Sequence, residues 1–181
     1  MVAVIPAKAG IQRLLSERRW VLASAGTTVA LRQASLNFEK FNRMSVSYDS
    51  VGVGDALPPL SLPPLTRTTL ALYAGASGDH NPMHIDIDFA RAAGMPDVFA
   101  HGMLSMAWLG RLLTNWAPQR DLREFGVRFS AITHVGERIS CTGQVTEKLE
   151  RDGERLIRVT VATANEAGEV KLTGDALIAV R

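Results

Sequence analysis

The pattern of apolar and polar positions changes near residue 44. Residues 1–43 mix short apolar runs with Arg and Ser, and neither a two-residue nor a 3.6-residue period persists through them. From Met44 onward, helical and strand periods follow one another with turn residues between them. We therefore predict an N-terminal extension over residues 1–43 and one folded domain over residues 44–181, a length that is ordinary for a single domain.

Two short segments have the periodicity and the end signals of helices. Thr66 is a candidate N-cap for a helix that ends at Gly78. Asp86 is a candidate N-cap for a second helix over residues 87–93, which Gly94 ends.

The most apolar segment, Gly102–Trp116, predicts a longer helix. Its apolar residues cover most of the circumference, which indicates burial. The segments after it alternate between turn signals and predict strands over about residues 125–132, 138–149, 154–164 and 169–180. One buried helix followed by long antiparallel strands predicts an α+β fold with a sheet curled around a central helix. The open edges of such a sheet favour a dimer.

The start of the domain is expected to be extended. Residues 45–51 alternate between apolar and polar positions and predict a strand. Residues 57–65 contain four prolines, so they predict an extended edge segment or a loop, because proline cannot donate to a strand ladder.

Charge and cysteine content exclude several classes of protein. Residues 1–43 hold 7 of the 20 Lys and Arg and 2 of the 18 acidic residues, so residues 44–181 carry a net charge of −3. A mildly acidic domain argues against a nucleic-acid surface, which needs clustered cations. No apolar run reaches the length of a membrane span. The lone Cys141 excludes an internal disulfide and favours a reducing, cytoplasmic setting.

The extension has several open interpretations. It contains Arg and is poor in acidic residues, as import peptides are, and residues 16–22 faintly resemble a twin-arginine export signal, although no A-x-A site follows. It is alternatively a poorly ordered tail or an ordered addition to the domain. Residues 4–12 also resemble a peptide translated from repetitive bacterial intergenic DNA, which would make Met44 the true start.

The densest polar cluster lies in residues 73–86. It contains Asp79 and His84, five residues apart, with Asn81-Pro82 between them. Proline prevents a continuous helix here, so the loop can turn both side chains toward one point. A carboxylate beside an imidazole is a general acid/base pair. The alternatives are that Asp79 caps a turn and that His84 is a structural buried histidine.

This cluster does not fit a metal template, and we expect no metal. His80 and His84 would share a face only on a continuous helix, which Pro82 prevents. A calcium loop beginning at Asp79 would lack its glycine and its glutamate, because His84 and Ala90 occupy those positions.

The second polar feature, residues 100–104, lies where the central helix is predicted to begin. The first amides of a helix lack intrahelical acceptors and carry the positive end of its dipole. Gly102 has no side chain to keep a ligand oxygen from its N–H, which is the requirement for an oxyanion donor. The alternative is that Gly102 only permits a tight connection.

Together these two segments resemble the MaoC-like dehydratases and the (R)-specific enoyl-CoA hydratases. Residues 77–86 match the pattern S-G-D-x-N-P-x-H-x-D, and residues 101–104 match H-G-M-L. The resemblance continues through residues 127–129 and through Gly136-Glu137 into the final strands, and it covers about residues 45–181. The N-terminal extension has no counterpart in it.

The resemblance implies a hot-dog fold, a homodimer with sites near its interface, and no cofactor. It implies that Asp79 and His84 are the catalytic pair and that the Gly102 amide is the oxyanion donor. Further positions that match the family's motifs are expected to bind substrate or shape the loop: Asn81, His101 and Met103.

Two departures from the family pattern stand out. Met83 replaces the usual Ile or Leu, a change that nearly conserves volume. Some members have a serine where this chain has Ala107, and we expect the nearby Ser105 to face elsewhere on the helix.

The resemblance implies reversible hydration of a trans-2-enoyl thioester, carried by CoA or an acyl-carrier protein, to an (R)-3-hydroxyacyl thioester. The alternatives are a hot-dog acyl-CoA thioesterase and a non-catalytic acyl-binding subunit of a dehydratase heterodimer. Nucleic acid and membrane are not expected partners.

Overall fold

The computed structural model describes residues 46–180. The predicted boundary between residues 43 and 44 lies outside the described residues and stays a prediction. Of the helices in the described range, none has the length and apolarity needed to cross a membrane.

The helices begin and end where their sequence signals predict. Helix α1 is Arg67–Ser77, α2 is Ile87–Ala92 and α3 is Gly102–Trp116. Thr66 Oγ1 accepts the Thr69 amide at the start of α1, and Gly78 ends α1 with a left-handed φ of 74°. Asp86 accepts two amides at the start of α2. Local capping chemistry therefore sets these boundaries.

Five antiparallel strands form one sheet in the order β1-β3-β4-β5-β2. Their ranges are β1 Leu60–Ser61, β2 Leu122–Phe129, β3 Ile139–Arg151, β4 Glu154–Asn165 and β5 Val170–Val180. The predicted hairpin turn at Asp152-Gly153 joins β3 to β4, and both residues have positive φ. The short β1, in the proline-rich segment, lies at one edge of the sheet, as expected.

The sheet packs on α3, which confirms the predicted architecture. Leu109, Leu112 and Leu113 of α3 are buried in one apolar cluster with residues of the strands, among them Val145, Val159 and Ala176. A second buried cluster joins α1 and α2 to the first turn of α3, and it contains Leu65, Leu70, Ala90, Val98, Ala100 and Leu104. The second cluster fixes the loops that carry the candidate site.

Burial of α3 is one-sided, which corrects the prediction of burial all round. Met103 is 55% exposed and Ala107 is exposed, whereas Leu109 and Leu112 are buried. The sheet covers one face of the helix, and an apolar stripe on another face remains open.

The N-terminal strand prediction is wrong for the described residues. Residues 48–50 form a 3₁₀ turn, Tyr48–Ser50, instead of a strand. The Lys148 ammonium on β3 donates to the carbonyl oxygens of Tyr48 at 2.6 Å and Val51 at 2.8 Å. These contacts with a residue about one hundred positions away hold the turn.

Strand β2 begins and ends three residues earlier than predicted. The amides of Ser130 and Ala131 both donate to the Lys171 carbonyl oxygen, at 2.8 and 3.2 Å. Two successive amides on one acceptor break the alternation of a ladder, so the chain leaves the sheet after Phe129. Residues 130–137, which we call the wall loop, follow.

Candidate active site

The loop after α1 is folded by its own polar groups. The Asp79 amide donates to Ser77 Oγ at 3.2 Å, and the Asn81 amide donates to Asp79 Oδ1 at 3.3 Å. Asn81 Oδ1 accepts the Met83 amide at 3.1 Å and thereby caps the 3₁₀ turn Pro82–His84. The Asn81 side chain thus makes the contacts expected of a residue that shapes this loop.

The turn brings Asp79 and His84 together and adds His101. One carboxylate oxygen of Asp79 and one ring nitrogen from each histidine lie within 4.8 Å of one another. Asp79 is exposed, His84 is 9% exposed and His101 is 1% exposed. The cluster therefore joins a solvated carboxylate to two largely buried imidazoles.

The tautomer of His84 follows from its hydrogen bond. His84 Nδ1 lies 2.8 Å from the Phe99 carbonyl oxygen, which can only accept. Nδ1 therefore carries the proton in neutral His84, and Nε2 is a proton acceptor. The Phe99 ring packs edge-on against the imidazole at 4.9 Å between centroids, which further fixes its orientation.

His101 contacts both members of the pair. Its Nε2–H donates to the Asp79 carbonyl oxygen at 3.1 Å, and its ring lies 4.0 Å from the His84 ring and 5.0 Å from the Tyr73 ring. Burial lowers the pKa of His101, the neighbouring His84 adds to this effect, and the contacts with Asp79 oppose it in part. His101 is thus kept neutral beneath the pair, where it holds the Asp79 main chain.

The three clustered residues are also the groups that could contact a metal ion. His101 Nε2 and His84 Nδ1 are already engaged with carbonyl oxygens. The ring nitrogens that no carbonyl oxygen holds are His84 Nε2 and His101 Nδ1, and the latter is buried without a hydrogen-bond partner among the described residues. The expectation that the site needs no metal stays a prediction.

Gly102 lies at the start of α3 and on the wall of a cavity of about 330 Å³. The amides of Leu104 and Ser105 donate to the His101 carbonyl oxygen, whereas no acceptor within residues 46–180 receives the Gly102 N–H. A Cβ added at Gly102 would lie 3.1 Å from Phe129 Cε1. The glycine therefore keeps the cavity open beside a free amide.

Met103, the next residue and a predicted substrate-binding or loop-shaping position, is 55% exposed and is not among the residues that line this cavity.

Ser105 lines the same cavity, so our expectation that it faces elsewhere is wrong. It is 3% exposed and lies one helical turn after Gly102, on the same face of α3. Within the described part of the chain, no group hydrogen-bonds to its hydroxyl. Ala107, where some family members have serine, is exposed. A three-residue spacing from Gly102 was the signal that could have identified Ser105.

The remaining walls of the cavity come from distant parts of the sequence. Phe99 and Ala100 precede α3, Phe129 ends β2, and Leu172 belongs to β5. The first four residues of the wall loop, 130–133, complete the lining. Sequence reasoning did not assign residues 130–133 to the site, because they carry no motif; in the wall loop it singled out only Gly136-Glu137.

Comparison with known proteins gives the family. Residues 58–167 match the family described as MaoC like domain. The (R)-specific enoyl-CoA hydratase of Rhodospirillum rubrum is 27% identical over 118 residues, which cover 64% of this chain and 80% of that protein. Fatty acid synthase subunit beta of Saccharomyces cerevisiae is 32% identical over 129 residues, which cover 71% of this chain but only 6% of that much longer protein.

Solved structures agree with this result. The unliganded R-hydratase PhaJ1 from Pseudomonas aeruginosa is similar with a TM-score of 0.66 and 26% identity, over 76% of this chain and 87% of that one. The predicted α+β hot-dog fold is therefore confirmed. The chain belongs to the MaoC-like dehydratase family.

Proposed function

We propose that the protein catalyses the reversible hydration of trans-2-enoyl-CoA to (R)-3-hydroxyacyl-CoA. The observation that carries this proposal is the approach of the Asp79 carboxylate to His84 within 4.8 Å, in a cluster with His101, the residue directly before the free amide at the start of α3. The names of the similar hydratases point to the same chemistry.

The pair handles the reacting water. The water donates one hydrogen bond to the Asp79 carboxylate and one to His84 Nε2, the acceptor left free by the Phe99 contact. It attacks C3 of the enoyl group and gives a proton to one member of the pair, and C2 receives a proton from the same site. A single source for water and protons makes the addition syn.

The Gly102 amide polarises the thioester. In the proposed pose, its N–H donates to the thioester carbonyl oxygen, which makes C3 electrophilic and stabilises the enolate charge that develops. Loss of one such donor typically costs about 3 kcal/mol of the barrier. The positive end of the α3 dipole adds to this stabilisation. The thioester is its own electron sink, so this mechanism uses no cofactor.

Crotonyl-CoA tests the proposal directly. We expect loss of the enoyl absorbance without release of free thiol, and an (R)-3-hydroxy product. Release of free thiol would indicate a thioesterase, and the absence of both changes would indicate a non-catalytic subunit. A parallel assay with enoyl-carrier-protein determines which carrier is used, and a series of chain lengths measures the acyl preference.

We further propose a homodimer in a reducing, cytoplasmic compartment. Strand β2 is an edge of the sheet. Large apolar side chains near the cavity are 40% to 55% exposed, namely Met103, Phe129, Ile132 and Val170. Covering an edge and an apolar patch together is what a dimer interface does. Sedimentation at micromolar concentration is expected to show twice the 19.6 kDa chain mass; a monomer alone would contradict this.

A further inference from the structure

Lys171 on β5 is the bulkiest fully buried side chain among residues 46–180, with 1% exposed. Its ammonium group donates to the Ile132 carbonyl oxygen at 2.7 Å and to Glu169 Oε2 at 2.5 Å, and lies 2.9 Å from Glu137 Oε1. A buried ammonium needs such partners, because an unpaired buried charge is strongly unfavourable. The proposed mechanism uses none of these groups.

Glu137 extends this network along the wall loop. Its Oε1 accepts the Asn165 amide group at 2.7 Å, and its Oε2 accepts the His134 main-chain N–H at 2.7 Å. Because Lys171 also holds the Ile132 carbonyl oxygen, polar contacts bind the wall loop to the strands along most of its length.

The other side of the wall loop holds the residues that precede α3. The Thr133 carbonyl oxygen accepts the Ala100 N–H at 2.9 Å, and His134 pairs with Phe99 in an isolated antiparallel bridge. The Phe99 carbonyl oxygen in turn accepts the Nδ1–H of His84. A continuous series of contacts thus leads from the buried lysine to the catalytic imidazole.

We propose that Lys171 is a positioning residue of the active site. Its ammonium group fixes the wall loop, and through that loop it fixes the Phe99 carbonyl oxygen that orients His84 and the turn that leads into α3 at Gly102. The inference rests on the proposed hydratase function for its kinetic test. Its structural test does not depend on that function.

The first experiment replaces Lys171 by Met, which keeps the apolar stem and removes the ammonium group. A misplacement of about 1 Å in catalytic groups can cost about 10²-fold in rate, so we expect kcat with crotonyl-CoA to fall between about tenfold and 10²-fold. We expect KM to change less, since His84 and Gly102 act mainly in the transition state.

Lys148→Met is the matched control. The Lys148 ammonium also donates to two main-chain carbonyl oxygens, but these belong to Tyr48 and Val51, away from the cavity. The Lys148→Met substitution should lower the free energy of unfolding. It should leave kcat within about twofold of the wild-type value, because it moves none of the reacting groups. A kcat near wild type for folded Lys171→Met would overturn the proposal, as would an equal loss in both variants.

A double variant covers the case in which Lys171→Met does not fold. Lys171→Met/Glu137→Gln leaves no unpaired buried carboxylate, because the other partner, Glu169, is 55% exposed. Its stability should recover relative to the single variant, but kcat should stay low, because the Ile132 contact is still missing. Recovery of kcat together with stability would show that the lysine only supports folding.

A nuclear magnetic resonance measurement separates this inference from the proposed function. The proton on His84 Nδ1 reports directly on the hydrogen bond to the Phe99 carbonyl oxygen. We expect its resonance to shift or broaden in Lys171→Met and to remain unchanged in Lys148→Met. A wild-type protein that hydrates no enoyl thioester would refute the function alone, whereas an unchanged resonance in Lys171→Met would refute the positioning role.

Discussion

Asp79 and His84 are held in different ways. Asp79 is exposed, and its main chain is fixed by the Nε2–H of His101, which donates to the Asp79 carbonyl oxygen. His84 is nearly buried, and its Nδ1 is fixed by the Phe99 carbonyl oxygen. The carboxylate can therefore meet solvent and substrate, while the imidazole has a single free nitrogen to offer.

Replacement of either member of the pair should lower kcat with little change in stability. Asp79→Asn keeps size but removes basicity, and His84→Ala removes the proton acceptor. Each change alone is expected to lower kcat about 10²-fold or more, the usual scale of general acid–base catalysis. The double variant should be little worse than the poorer single variant, because residues that act on one water are not additive. Steady-state kinetics with crotonyl-CoA measures all three.

His80→Ala is the control for this series. His80 is exposed, and it is absent from the cluster that Asp79 forms with the two buried histidines. It should keep most of its activity. Turnover near wild type for Asp79→Asn or His84→Ala would contradict the mechanism.

Helix ends that depend on nearby residues were predicted correctly from the sequence, whereas a turn that depends on a distant residue was not. The ends of α1 and α2 depend on partners two to four residues away, such as Thr66 with Thr69, so the sequence was sufficient. The turn at residues 48–50 depends on Lys148, about one hundred positions later, and no local pattern reports that contact.

In the candidate site, too, residues in short motifs were predictable from the sequence, and residues joined by long-range contacts were not. Asp79, His84 and Gly102 could be proposed from the sequence because they lie in two compact motifs whose residue types suit acid–base and oxyanion chemistry. Lys171 was missed because its partners Ile132 and Glu137 lie more than thirty positions away and become neighbours only when the sheet forms. Spacing along one segment cannot reveal such a contact.

Gly174 should be required for the pairing of β5 with β2. A Cβ at this position would overlap the Gly126 carbonyl oxygen and lie 2.9 Å from Val127 Cγ1. Gly174→Ala must therefore push β2 away from β5, and we expect a loss of about 1–3 kcal/mol in the free energy of unfolding, the usual cost of overpacking. Chemical denaturation measures this loss.

Gly126→Ala is the matched control, because a Cβ at Gly126 meets no atom within 4 Å. Its stability should stay at or slightly above the wild-type value, since alanine restricts the unfolded chain more than glycine does. Equal effects of the two substitutions would show that the close approach at Gly174 is not the cause.

The network around Lys171 should make stability sensitive to acid. Burial acts to raise the pKa of Glu137, but hydrogen bonds from Lys171, Asn165 and the His134 amide outweigh it and hold the pKa below the ordinary 4.5. A depressed folded-state pKa contributes stability that is complete above the unfolded value and is lost as pH falls through the folded value. Thermal unfolding should therefore show Glu137→Gln less stable than wild type at pH 7, with a difference that narrows below about pH 4.5. A difference that is independent of pH would contradict this.

For the whole molecule, the start of the domain can be tested by truncation. Val46, Tyr48 and Val51 pack on the main apolar cluster, and Lys148 binds two of their carbonyl oxygens. A chain that begins at Met44 keeps all of these contacts, so we expect it to stay folded, dimeric and active. Thermal unfolding and turnover of crotonyl-CoA provide the measurement.

A chain that begins at Gly52 is the comparison. This chain lacks the apolar contacts and both carbonyl partners of Lys148. We expect its free energy of unfolding to be lower by about 2 kcal/mol or more, the scale of removing large core side chains. A comparable loss in the chain that begins at Met44 would show that residues 1–43 are part of the structure.

The strand order also has a consequence for how the protein is made. Strand β2 leaves the ribosome before β3 and β4, yet it pairs with β5, which is synthesised after both. Until β5 has emerged, β2 has no sheet edge to join, and the cavity wall that Phe129 and the wall loop supply cannot assemble. Closing so long a loop is slow. The nascent chain therefore carries Asp79 and His84 from the synthesis of residue 84 until β5 is made, before the neighbouring cavity can form.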